Sequence, residues 1–336
     1  MKFGVSLPTC KEGLNLPLPF CTADELMDLF VLADELGYDS AWGNDHITAP
    51  AYVREHYKGV PRFFELLMVF AAAARITERI RLGTGVLVLP MRDPVLLAKQ
   101  LATLDQLSHG RVTAGVGVGA YREEFERSNP RLAAVANRGR LLDESIDVLQ
   151  RLLSGEQTTF DGEYHAFDVQ LHPIPEQQVL PIYIGGNSQQ ALERAARSGH
   201  GWLPGALPHD RLFAGRAEIR RRAEELGRDP DVISIAPQYL CCIAETREEA
   251  LARFRASPLY LHLQSLSGST LQGQRLDAVE NGNLIGTPQQ IVEQIQALEA
   301  GGVDELAAMS FISETAPDMA RDMTWFREEV MVKFER

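Results

Sequence analysis

The sequence is poor in several features that would settle a function at once. Across 336 residues there are only four cysteines, Cys10, Cys21, Cys241 and Cys242. No two of them form a CxxC pair, so a zinc ribbon or thioredoxin-like redox motif is excluded. The adjacent Cys241 and Cys242 fit a buried strand, where a thiol behaves as a small hydrophobe. Positive charge is also short. Lys and Arg total 33 against 46 Asp and Glu, a formal net charge of −13. A generic nucleic-acid binder needs the opposite balance, although a local basic pocket for one phosphate is compatible with it. No apolar run approaches the ~20 residues of a membrane-spanning helix. The opening MKFGVSLP carries too short an apolar run for a secretory leader. The expectation is a cytoplasmic enzyme with reduced cysteines. HExxH, GxSxG and a Walker loop are all missing, as is any cluster at metal-ligand spacing. Their absence removes the common hydrolase and phosphotransfer chemistries and leaves no metal site to expect.

What is present is an ordinary globular composition, 45% apolar and 24% charged. The length exceeds the ~250 residues typical of an eight-fold barrel by enough to allow insertions. The densest stretch runs from Ile80 to Phe125, IRLGTGVLVLPMRDPVLLAKQLATLDQLSHGRVTAGVGVGAYREEF. Residues 81–89 read as a strand by their Val and Leu content. Asp93 is an N-cap and Pro94 suits the first helical position. Residues 95–107 carry apolar side chains at helical spacing, and 112–116 form a second strand ending among glycines. The unit is strand, helix, strand.

The rest of the chain repeats that alternation. Strands are expected at 3–7, 38–44, 81–89, 112–116, 181–184, 201–204, 232–244 and 305–310. Helices fall between them: Thr22 and Glu25 form a capping box, residues 138–153 are amphipathic, and Thr287 caps 288–300. Residues 47–62, 158–168 and 256–284 read as insertions, the second a hairpin around Asp161-Gly162. Eight alternating units predict an α/β chain with a parallel sheet, closed as a (β/α)8 TIM barrel over one domain, 1–336.

Active sites in such barrels lie at the C-terminal ends of the strands. That rule selects Asp45-His46, the run Gly83-Thr84-Gly85-Val86, the glycines through Gly117 with Glu123-Glu124, and Gly185 to Ser188. An imidazole directly after a strand can exchange a proton near neutral pH. Glu123 and Glu124 read equally well as the acidic first turn of a helix. Gly185-Gly186-Asn187-Ser188 joins a strand to a helix N-terminus, where free N–H groups bind anions; a plain turn with a helix cap is the other reading. GVGVGA from Gly115 lacks the last glycine of a dinucleotide fingerprint and follows the fourth strand rather than the first. Trp42 and Trp202 read as packing residues.

The pattern LGTGV, then P.R.P, ATLD.LS.GR and GVG.G with a following EF, resembles the luciferase-like flavin and deazaflavin oxidoreductases, which include bacterial luciferase relatives and enzymes of coenzyme F420. The resemblance implies the same barrel and a homodimer. It implies a non-proline cis peptide at Gly85–Val86, His46 against the cofactor ring, and Glu124 as an acidic catalytic group. Cofactor contacts are then expected from Asp45, His46, Thr84, Gly85, Val86, Gly117, Gly185, Gly186, Asn187 and Ser188. Asp45-His46 resembles the deazaflavin branch, implying hydride transfer between coenzyme F420 and a small organic substrate. The alternative is a monooxygenase using dioxygen and reduced FMN supplied by a partner flavin reductase. The aromatic residue that sugar-phosphate dehydrogenases carry four places after the histidine is Pro50 here, so that substrate is not implied.

Overall fold

The computed structural model describes residues 1–205, 207–265, 280 and 282–335. Its strands are β1 (Lys2–Ser6), β2 (Ser40–Gly43), β3 (Arg81–Thr84), β4 (Leu87–Val88), β5 (Val112–Gly117), β6 (Thr158–Asp161), β7 (Ala166–Val169), β8 (Ile182–Gly185), β9 (Gly201–Leu203), β10 (Ser234–Ile235), β11 (Leu240–Ile243), β12 (Leu284–Gly286) and β13 (Glu305–Phe311). Their order in the main sheet is β10-β9-β8-β5-β3-β2-β1-β13-β11-β12, with β4 on β5, and every pairing in it is parallel.

The sheet closes because β10 and β11 are two halves of one stave. Residues between them bond to both neighbours: Ala236 N donates to Trp202 O at 2.9 Å, and Pro237 O accepts from Ala307 N at 3.0 Å. In order around the barrel the staves are β1, β2, β3 with β4, β5, β8, β9, β10 with β11, and β13, the expected eight. The expected single strand over 232–244 is therefore interrupted, where Pro237 has no N–H to donate. Likewise the expected strand 81–89 stops at Thr84, resumes as β4, and passes into a 3₁₀ turn, Leu89–Met91. The hairpin of β6 and β7 pairs antiparallel outside the barrel sheet, as the Asp161-Gly162 turn predicts. Residues 47–62, expected to be irregular, include the helix Ala51–His56. Of the expected insertion 256–284, the described part holds the helix Pro258–Ser265 and β12; residues 266–279 and 281 lie outside the described residues.

The helices start where the sequence signals them. Thr22 forms both halves of its capping box with Glu25, Asp93 caps Pro94–Leu107, and Thr287 caps Pro288–Ala300. Each such cap contributes about 1 kcal/mol. The barrel interior is plugged by Trp42, Leu203, Ala236, Ala307 and Ala308, with Val86 and Tyr183 against them. Trp42 is fully buried and lies over Gly83, where an added Cβ would meet its ring at 2.5 Å. Close ring approach is thus what that strand glycine permits. Among the described residues no helix is long and apolar enough to cross a membrane.

Candidate active site

The Gly85–Val86 peptide is cis, as expected. The backbone bulges there, and Val86 projects between the ends of β5 and β8. An added Cβ would stand 2.9 Å from a Val86 methyl at Gly117 and 2.5 Å from one at Gly185. Ordinary carbon contacts begin near ~3.5 Å, so these positions admit no side chain while Val86 is in place. The result is a ledge of backbone and one valine, open to a cavity of about 300 Å³ at the strand ends. Gly85, Val86, Gly117, Gly185 and Gly186 line that cavity; Asp45, His46, Thr84, Glu124, Asn187 and Ser188 do not.

The turn after β8 is held from below. Trp202 Nε1 donates to Gly186 O at 2.9 Å, and the Asn187 side chain both donates to Gly205 O (2.8 Å) and accepts from Gly205 N (2.9 Å). Gly186 has φ +118°, closed in practice to residues with a Cβ. Ser188 caps the helix Gln189–Ser198 by accepting from Ala191 N at 3.3 Å. The four successive amides from Asn187 to Gln190 have no hydrogen-bond acceptor among the described residues. Such a row at a helix start suits an anion. Asn187 and Ser188 therefore shape the turn, and the backbone is what it presents.

The acidic residues have separate tasks. Asp45 is 4% exposed and takes a fork from Arg92, Nε to Oδ2 at 2.8 Å and Nη2 to Oδ1 at 2.7 Å, plus Val88 N at 3.1 Å. It ties the end of β2 to the segment after the bulge. Thr84 Oγ1 donates to Gly115 O at 2.8 Å, tying β3 to β5. Glu124 is 3% exposed and sits in the first turn of the helix Arg122–Ser128. Its Oε2 meets His46 Nδ1 at 2.9 Å, and its Oε1 accepts from Ile47 N at 2.6 Å and Thr48 N at 3.2 Å. Glu123 holds the same loop through Ala51 N at 2.6 Å. The structure thus brings His46 and Glu124 together. Since a carboxylate only accepts, Nδ1 carries the hydrogen and Nε2 is the free basic site of the neutral ring.

His46 is linked to the cavity lining through Tyr121 and His262. Its ring centroid is 6.3 Å from that of Tyr121, whose hydroxyl shares His262 Nδ1 (3.0 Å) with Tyr52 (2.8 Å). His262 does line the cavity. Burial, then its neighbours His46 and Lys11, push its pKa down to about 3, so His262 is neutral.

Two residues of the cavity, Lys11 and Gln238, and one beside the loop after β5, Arg138, escape the sequence reading. Lys11 is 3% exposed, lines the cavity, and meets the hydroxyls of Ser6 and Ser310. Gln238 lies beside the bulge, its Oε1 3.6 Å from where a Cβ on Gly85 would be. Arg138 donates to the carbonyls of Val118 (3.3 Å) and Gly119 (3.2 Å) and has no carboxylate at ion-pair distance among the described residues. The strand-end rule could have flagged Lys11, which follows β1. Nothing local marks Gln238 or Arg138. No group of three or more metal-binding side chains occurs among the described residues.

The comparisons agree with this architecture. The family model for luciferase-like monooxygenases matches residues 1–305. The F420-dependent glucose-6-phosphate dehydrogenase of Amycolatopsis mediterranei is 29% identical over 327 residues, 92% of this chain and 94% of that one. Limonene 1,2-monooxygenase of Rhodococcus erythropolis is 29% identical over 286 residues, 81% of this chain and 71% of that one. The crystal structure of monooxygenase RslO1 from Streptomyces bottropensis superposes with a TM-score of 0.80 at 24% identity, covering 100% of both chains. With a barrel of eight staves, a glycine ledge at their C-terminal ends and a family match over most of its length, the chain belongs to the luciferase-like monooxygenase family and is an oxidoreductase of that class.

Proposed function

We propose that the protein transfers a hydride between coenzyme F420 and a small organic substrate. The observation that carries this reading is the His46–Glu124 pair at 2.9 Å, with its carboxylate buried and its imidazole partly exposed. Hydride transfer at a carbon bearing oxygen needs a proton placed on, or removed from, that oxygen. An imidazole whose Nδ1–H is fixed by a carboxylate can do this at Nε2. The residues present fit the cofactor. The ledge of Gly117, Val86 and Gly185 offers a flat floor of backbone and one valine for a planar ring, and the amides from Asn187 to Gln190 offer donors for its phosphate. A bound deazaflavin supplies the hydride chemistry itself. Glu124 orients His46 and, through Ile47 and Thr48, the loop carrying it. Asp45 with Arg92 fixes the backbone after the bulge on which the ring would rest.

A second reading is favoured by the 29% identity to limonene 1,2-monooxygenase: reduced FMN, supplied by a flavin reductase, with dioxygen as co-substrate. Anaerobic assay separates the two. On the first reading the protein oxidises or reduces a panel of alcohols and ketones with F420 and without oxygen. Turnover that requires reduced FMN and dioxygen, and is absent with F420, would overturn it in favour of the second.

A further inference from the structure

Lys11 lies where an ammonium has little reason to be. Its residue is 3% exposed, and no carboxylate pairs with it among the described residues. Its Nζ donates to the Ser310 hydroxyl at 2.9 Å, to the Ser6 hydroxyl at a shorter distance, and more distantly to Ser6 O at 3.4 Å. Its backbone carbonyl accepts from Leu14, Asn15 and Leu16 N at 3.0 to 3.1 Å, so the turn holding it is fixed. The nearby Glu12 is spent on Phe20 N and Arg62 N, at 2.8 and 2.7 Å. A buried charge without a counter-ion is costly, and burial drives this amine down to about 7.

The two serines add direction. Ser6 ends β1 and Ser310 belongs to β13, adjacent staves of the barrel. Each hydroxyl spends a lone pair on Nζ, and neither hydroxyl hydrogen has an acceptor among the described residues. All three residues line the cavity. The ammonium and two O–H groups therefore converge from one wall. Gly117 and Gly185 end the fourth and fifth staves, diametrically across the barrel from β1 and β13. The cavity has an apolar, glycine-lined side and, facing it, a cationic side rich in donors.

We propose that Lys11, Ser6 and Ser310 form a subsite for a carboxylate group of the substrate. Two carboxylate oxygens match one ammonium and two hydroxyl donors, and the group's charge supplies the missing counter-ion. Identifying its occupant as substrate rests on the oxidoreductase reading above; the capture of a carboxylate does not. Other titratable groups on the elements meeting there are Cys10, whose thiol burial pushes up, His262, Tyr239, Glu12 and the His46–Glu124 pair. His262 is held neutral and the two glutamates are occupied by hydrogen bonds.

The test needs no cofactor and no turnover. The chain has five lysines, Lys2, Lys11, Lys58, Lys99 and Lys333, so labelling the ε-carbons with ¹³C gives a sparse NMR spectrum, in which Lys11→Met identifies the Lys11 signal. Benzoate is the probe and benzamide its neutral counterpart. The expected result is that saturating benzoate raises the Lys11 titration midpoint by about one to three pH units, and benzamide leaves it in place. Lys11→Met weakens benzoate binding about tenfold or more and leaves F420 and FMN binding unchanged. If Lys11→Met fails to fold, Ser310→Ala serves, expected to weaken benzoate by roughly threefold to tenfold. Equal responses to benzoate and benzamide, or unchanged benzoate affinity in the folded variant, would overturn the proposal. So would a loss of cofactor affinity matching the loss of benzoate affinity, since Lys11 would then serve the cofactor. Failure of both cofactors to bind while benzoate binds as expected would refute both cofactor readings proposed above and leave the carboxylate subsite standing.

Discussion

Val86 and Gly185 fit each other so closely that each should be costly to change alone and cheaper to change together. Gly185 is outside the left-handed region, so an alanine there is opposed by space and not by its backbone. Its Cβ would stand 2.5 Å from Val86 Cγ1 and 3.3 Å from Val116 O. Relief of the first contact takes about 1 Å of movement toward an ordinary ~3.5 Å separation. In a packed wall that costs about 1–3 kcal/mol. Val86→Ala removes two methyl groups from a half-buried position and costs about 1 kcal/mol. In the double variant the clash has no partner, so Gly185→Ala then costs only a few tenths of a kcal/mol, the scale of surface changes without a named mechanism. The expected coupling is about 1–3 kcal/mol of mutual rescue. Urea unfolding of the four proteins, followed by far-ultraviolet circular dichroism, measures it directly. Strict additivity, to within ~0.5 kcal/mol, would refute the view that Val86 fills the gap these glycines leave.

Arg92→Leu strands the buried Asp45 carboxylate, and the expected loss of stability is about 3–5 kcal/mol, read by the same unfolding assay. Lys11→Met should alter the pH dependence of stability. Because burial lowers this amine from 10.5 to about 7, the unfolded chain binds more protons between those values, and wild-type stability rises with pH there. Going from about pH 7 to about pH 9 should therefore improve wild type relative to Lys11→Met by up to ~2.7 kcal/mol; parallel profiles would contradict it. His46→Ala should cut turnover by ~10²–10⁴-fold with little change in cofactor affinity, and Glu124→Gln should also lower turnover by loosening the imidazole and its loop. Steady-state kinetics on both variants checks this, and near wild-type turnover in His46→Ala would reduce the residue to packing.

The parts of this molecule legible in its sequence are those decided by near neighbours. Thr22 with Glu25, Asp93 with Pro94, and Ser188 each cap the helix they precede, because a cap needs only the next few amides. The alternation of strand and helix carried the barrel for the same reason. The bulge at Gly85–Val86 and the role of His46 came from family resemblance, not from local rules. Long-range partners stayed hidden. Lys11 meets Ser310 across 299 positions and His46 meets Glu124 across 78. Asp45, expected at the cofactor, pairs with Arg92, 47 residues on. The side chains of Asn187 and Ser188, expected at a phosphate, brace the turn through Gly205 and Ala191. Pairwise geometry of this kind is fixed by the closed sheet and has no signature in composition or spacing.

On the proposed function, the glycine ledge and the turn after β8 bind a deazaflavin, phosphate included. Equilibrium titration of the chain and of Gly186→Val with F420 and with FMN tests it most directly. Valine at φ +118° must distort the turn and misalign the amides that follow. The expected result is tighter binding of F420 than of FMN by the wild-type chain. A loss of about tenfold or more is expected in Gly186→Val, with the circular dichroism spectrum unchanged. F420 affinity equal in the two proteins, or no F420 binding by either, would contradict it.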